Sequence, residues 1–171
     1  YMSNLRKEHW SLIEKLITKT CATIVVPDYP LTPDSSCKET YDFIKDLFTR
    51  LITEYPSEQI VFMGDSAGGG LALGFTQQLR DENKKQPDQI IVFSPWLDVT
   101  MGNPRLERLD KEDNLLSIAG LKNAGQKYAA NLDLKDFRVS PVYGDLTGMC
   151  RISLFTGTRD ILNADAQKLK Q

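Results

Sequence analysis

The segment Gly64-Asp65-Ser66-Ala67-Gly68 lies where a strand gives way to a helix, and that junction limits the chain to few folds. Before it runs Gln59-Ile60-Val61-Phe62-Met63, a short apolar stretch that reads as a buried strand. After it, Gly69 to Leu79 has the length and composition of a helix. A G-x-S-x-G turn in this context lifts a serine hydroxyl above the sheet. Glycines two residues either side of Ser66 are expected because a Cβ there would strike the tight turn. The same turn leaves the Ala67 N–H aimed at the point of attack, ready to donate to an oxyanion. The rival reading is a glycine-rich turn that merely packs tightly. A phosphate cradle is a poorer fit, since neither G-x-x-x-x-G-K-[ST] nor G-x-G-x-x-G occurs here.

The rest of the chain alternates helix and strand. Residues 8–19 carry apolar side chains near a 3.6 period and read as an amphipathic helix. Ala22-Thr23-Ile24-Val25-Val26 reads as a buried strand, and Pro27, Pro30 and Pro33 then impose an extended loop. Ser36 and Glu39 form a capping box opening a helix to about Tyr55. Gln89–Phe93 and Ile152–Thr156 read as further strands, with a helix from about Ser117 to Ala130 and another at the end of the chain. Strands separated by helices imply an α/β fold: a mostly parallel sheet with helices on both faces. Ligands bind such sheets at the carboxyl ends of the strands, where both Ser66 and Asp160 fall. We read residues 1–171 as a single, partial domain, with 98–137 a cover or insertion over the active face. The start at Tyr1 and the end within a charged, helix-like stretch make the chain read as the central piece of that domain.

Composition excludes several classes. Net charge is −2 and no basic stripe occurs, so nothing favours nucleic acid. No apolar run approaches a membrane span. Cys21, Cys37 and Cys150 are widely spaced and odd in number, reading as reduced, buried thiols of a cytoplasmic protein.

Four segments together resemble the hormone-sensitive-lipase-like family of α/β-hydrolases, which are carboxylesterases and lipases. Gly64-Asp65-Ser66-Ala67-Gly68-Gly69 matches the family's G-D-S-A-G-G turn in all six places. Asp28-Tyr29-Pro30-Leu31-Thr32-Pro33-Asp34 is similar to its D-Y-R-L-A-P-E loop, with Pro30 where arginine is usual. Ser94-Pro95-Trp96-Leu97-Asp98 is similar to S-P-W-x-D, and Ser140-Pro141 with Gly157-Thr158-Arg159-Asp160-Ile161-Leu162 is similar to the acid-bearing segment. The resemblance implies an α/β-hydrolase fold incomplete at both ends, with Ser66 as nucleophile, Asp160 as the acid that orients a histidine, and Ala67 N–H as one oxyanion donor. It implies a small-molecule ester as substrate, no cofactor and no metal; a homo-oligomer is open to such a chain. The family's H-G-G-G oxyanion loop would precede Tyr1 and its histidine would follow Gln171, so residues 1–171 alone are expected to be inactive.

Other residues carry rival readings. His9, the one histidine, precedes Ser66 where the family order is Ser, Asp, His, so it reads as a surface or helix-packing residue. Asp165 is the rival acid, placed a turn inside the last helix. Asp65 and Asp28 read as structural carboxylates, and Trp96 as either core or acyl-pocket wall. Three functions stand: a hydrolase of small to medium acyl esters, an inactive ligand-binding protein on the same fold, or an amidase, deacetylase or peptidase sharing the serine chemistry.

Overall fold

A computed structural model describes residues 1–169. Three parallel strands, β1 (Val61–Asp65), β2 (Gln89–Phe93) and β3 (Arg151–Phe155), form one sheet in the order β1-β2-β3. The register aligns Phe62, Ile90 and Ile152 in one row and Gly64, Val92 and Leu154 in another. Successive side chains of a strand point to opposite faces. These rows therefore share one face, on which the helix α3 (Ala67–Asp81) packs. Leu73 of α3 joins buried Ile90, Val92 and Leu97 there. A second stripe of α3, Leu71, Phe75 and Leu79 at helical spacing, belongs to a separate core cluster, in which the Phe75 ring lies 6.1 Å from that of Phe62 of β1. It meets Phe48 of the helix α2 (Cys37–Glu54). Phe48 and Phe75 meet edge to face with centroids 5.9 Å apart.

The other face of the sheet carries Val61, Met63, Asp65 and Phe155, all exposed. The helix α1 (Lys7–Thr20) stands on that side, held by a contact between His9 and Asp65. Its inward stripe, His9, Ile13 and Leu16, is only half-buried, and Trp10, Leu12 and Ile17 are exposed.

Several expectations shift in detail. Ala22–Val26 forms no strand, and Val25 is exposed. Its β-branched composition favours extension, but a ladder needs a neighbour, and among the described residues β1, β2 and β3 pair only with one another. The first strand begins and ends two residues later than its apolar run, because backbone pairing continues through Gly64↔Val92 and Asp65↔Phe93 whatever the side chains. The capping box stands, with Glu39 Oε2 accepting the Ser36 N–H at 2.9 Å. The last helix, α6, is described as Asn163–Leu169; Lys170 and Gln171 lie outside the described residues.

Residues 98–137 contribute to the core. They contain the one-turn helix α4 (Leu106–Leu109) and α5 (Ile118–Ala129), the latter capped by Ser117, whose Oγ accepts the Gly120 N–H. Val99, Met101, Leu106, Leu109 and Leu121 are buried with the stripe of α3. Asn103 ties this region to α6, donating to the Ala164 carbonyl and to Asp165 Oδ1, both at 2.9 Å.

Candidate active site

β1 delivers the chain directly into Ser66, which takes φ 48° and ψ −116° before α3 begins. A side chain rarely adopts this backbone, and it costs about 1–3 kcal/mol wherever it occurs. The surrounding structure holds it with three backbone hydrogen bonds. Ser66 N–H donates to the Phe93 carbonyl at 3.0 Å, while the Ser66 carbonyl accepts from Gly70 at 3.1 Å and Trp96 at 2.8 Å. The residue is thus fixed to the end of β2 as well as to its own helix. Ala67 is the first residue of α3, where N–H groups have no partner within the helix.

The two flanking glycines differ. A Cβ on Gly64 would lie 2.4 Å from the Gly68 carbonyl carbon and oxygen, so that position admits no side chain. A Cβ on Gly68 would meet nothing within 4 Å. The expectation that both glycines guard the turn therefore holds for Gly64 alone. Gly68 supplies the backbone that Gly64 touches.

Ser66 opens into a cleft of about 440 Å³ at the carboxyl ends of the three strands. Ser94 follows β2 into the same cleft, and Gly157, Arg159, Asp160 and Leu162 enter it after β3. The fourth wall is Glu112 to Leu116, from the turn between α4 and α5. Ser66 and Asp160, far apart in sequence, are thus brought together. Asp160 is half-buried, and its Oδ1 accepts the Leu162 N–H at 2.8 Å. That bond turns the loop after β3 back on itself and fixes the carboxylate's root.

The rival residues sit elsewhere. Asp165 is buried, and its Oδ1 takes Asn103 at 2.9 Å and Lys168 at 3.1 Å; it does not line the cleft. Trp96 is core: it is 4% exposed and packs on Tyr1 with ring centroids 5.7 Å apart. Asp98 is fully buried, accepting from Thr100 N–H and hydroxyl and from the Tyr143 hydroxyl. Its carboxylate shapes the chain after β2. His9 is held at both ring nitrogens. Nδ1 accepts the Arg6 N–H at 2.9 Å, so a neutral ring carries its proton on Nε2 and donates to Asp65 Oδ2 at 3.1 Å. The histidine therefore grips the residue before Ser66 from the other side of the turn and does not line the cleft.

Sequence reasoning missed this contact, the wall at Glu112–Leu116, and Ser94 as a cleft residue. The wall had one legible signal, the adjacent apolar pair Leu115-Leu116 within a polar stretch.

Comparison with known proteins agrees with this geometry. The profile of the α/β-hydrolase fold family matches residues 1–171. An esterase of Acinetobacter venetianus is 32% identical over 166 residues, 95% of this chain and 54% of that protein. An acetyl-hydrolase of Streptomyces hygroscopicus is 28% identical over 166 residues, 96% of this chain and 56% of its own. A hormone-sensitive lipase from a metagenome library superposes with a TM-score of 0.91 at 26% identity, over 99% of this chain and 58% of that structure. The chain spans about half the length of the curated relatives just named. Among the described residues no helix is long and apolar enough to cross a membrane. Its parallel sheet, its turn at Ser66 and these matches place the chain in the α/β-hydrolase family, among the proteins like hormone-sensitive lipase.

Proposed function

We propose that the protein is a serine hydrolase that cleaves carboxylic esters of small to medium acyl chains through an acyl-serine intermediate. The observation that carries this reading is the strained turn at Ser66 opening onto the cleft that also receives Asp160. In this reading the turn is a nucleophile elbow, and Ser66 Oγ attacks the ester carbonyl once a base takes its proton. Asp160 holds the base, an imidazole, in one tautomer and stabilises its protonated form. The imidazole comes from outside residues 1–171, because His9 is committed to Asp65. Ala67 N–H stabilises the oxyanion of the tetrahedral intermediate, an interaction worth on the order of 3 kcal/mol per donor. The protonated imidazole then gives its proton to the leaving alcohol, and water releases the acid from Ser66.

The apolar side chains Leu115, Leu116 and Leu162 support an acyl-binding role for the cleft. We assign residues 98–137 as its cover, anchored by their own core contacts. A cytoplasmic location goes with this reading, supported by cysteines that are all unpaired. The test is hydrolysis of p-nitrophenyl esters, acetate through long-chain, by the full-length protein beside its Ser66→Ala variant. Turnover that vanishes in the variant and falls with long acyl chains is the expected result. Equal, trivial rates in both proteins would favour a ligand-binding role on the same fold.

A further inference from the structure

The turn between α4 and α5 is organised around one carboxylate. Asp113 Oδ1 accepts the N–H groups of Leu115 at 2.8 Å and Leu116 at 3.0 Å. Its other oxygen, Oδ2, reaches across the cleft mouth and accepts the Ile161 N–H at 3.0 Å. Ile161 follows Asp160 directly and is fully buried, so it fixes the backbone from which the Asp160 side chain springs. The two segments joined in this way are 48 positions apart, and both line the cleft. Asp110 secures the far side of the turn, its Oδ1 accepting the Ile118 N–H at the start of α5 at 2.8 Å. Partial burial pushes the Asp113 carboxyl up, but the three N–H donors outweigh it and hold the group below the usual carboxylate range. It is therefore ionised at neutral pH, and its hydrogen bonds are the stronger, charge-assisted kind.

We propose that Asp113 is a positioning residue for the hydrolytic reaction, locking the loop that carries Asp160 to the Leu115–Leu116 wall of the cleft. The proposal rests on the assignment of Ser66 and Asp160 above. Its physical basis is that, among the described residues, the Asp113–Ile161 bond is the one side-chain hydrogen bond joining the Asp113–Leu116 turn to residues 160–162, beside the apolar packing of Leu116. Without that tie, the root of Asp160 loses a fixed neighbour on the cleft side, and a carboxylate displaced by about 1 Å can cost on the order of 10²-fold in rate. An amide at position 113 cannot replace it. One acceptor oxygen remains for three N–H groups, and the new NH₂ faces at least one of them.

The test uses the full-length protein with p-nitrophenyl butyrate. Wild type, Asp113→Asn, Asp113→Glu and Ser66→Ala are compared in kcat, KM, the pH dependence of kcat/KM, and thermal midpoint. The expected result for Asp113→Asn is a roughly tenfold fall in kcat at temperatures where it is folded. Its acidic limb moves to lower pH, because a loosened Asp160 stabilises the imidazolium less. Asp113→Glu recovers part of both. Glu112 and Arg159, the other charged groups lining the cleft, are the same in every variant, so a moved limb reports on position 113. An unchanged kcat and limb in Asp113→Asn, even with a lowered thermal midpoint, overturns the proposal and leaves Asp113 a purely structural residue. If Asp113→Asn fails to fold, Asp113→Glu decides by the same two readouts: a reduced kcat with a shifted limb supports the proposal, and wild-type values overturn it. Full turnover by Ser66→Ala would instead remove the serine reading on which the proposal stands.

Discussion

Gly64 and Gly68 touch backbone to hydrogen: a Cβ on Gly64 would sit 2.4 Å from the Gly68 carbonyl, while one on Gly68 would face open space. The two glycines of one motif therefore answer to different forces. Gly64→Ala should destabilise the protein by about 3 kcal/mol or more, since the obstacle is backbone and cannot rotate away. Gly68→Ala lies in the first turn of α3 and should be neutral or stabilise by up to about 1 kcal/mol. Thermal melts of the two variants check this. A Gly68→Ala protein that melts as early as Gly64→Ala would contradict the asymmetry.

The two acidic candidates after β3 separate in the same way. Asp160→Asn should lower turnover of the full-length protein by on the order of 10⁴-fold, the loss that follows when the acid of such a triad becomes an amide. Asp165→Asn loosens the contacts with Lys168 and Asn103 and should lower the thermal midpoint while turnover persists. Rates and melts measured on both variants decide the matter. The opposite pattern would make Asp165 the acid.

Glu82 gives a pH-dependent contribution. Hydrogen bonds from Lys84 and Gln78 bring its carboxyl from an ordinary 4.5 down to about 2. A depressed carboxyl stabilises the folded state above its unfolded pKa, and the gain is lost as pH falls through the folded one. The window is therefore about pH 4.5 to 2. The pair lies at the surface, so the contribution should stay below about 1 kcal/mol. Urea unfolding of Glu82→Gln should show slightly lower stability at pH 7 and convergence with wild type near pH 2. A constant difference across that range would contradict the assignment.

The cysteines should differ in reactivity. Burial pushes the Cys37 thiol up to about 11, and the side chain is 1% exposed, whereas Cys21 is exposed. The thiolate is the reactive form. Maleimide at pH 7.5 should modify Cys21 in the native protein and reach Cys37 only in denaturant, as read by peptide mass spectrometry. Rapid native labelling of Cys37 would show that the core around it opens.

What the sequence made legible was local. The strand Gln89–Phe93 is found where its apolar run lies, and Ser36 and Ser117 cap their helices because capping needs only neighbours a few residues away. The turn at Ser66 was readable for the same reason. Ala22–Val26 misled because composition records a preference for extension and not the presence of a partner strand. His9 stands on its helix outside the cleft, as expected, but its contact with Asp65 could not be read because the partner is 56 positions away. The Glu112–Leu116 wall showed in the sequence only as the apolar pair Leu115-Leu116; its place at the cleft depends on the bond from Ile161 to Asp113, which no local pattern encodes.

Covalent capture tests Ser66 as the nucleophile. The full-length protein is treated with a fluorophosphonate and digested, and the modified peptide is sequenced by mass spectrometry. One phosphonylated residue, Ser66, is expected, with loss of ester hydrolysis in proportion to its modification. Hydrolysis that continues unabated with Ser66 fully modified, or inactivation with the label on another residue, would contradict that role.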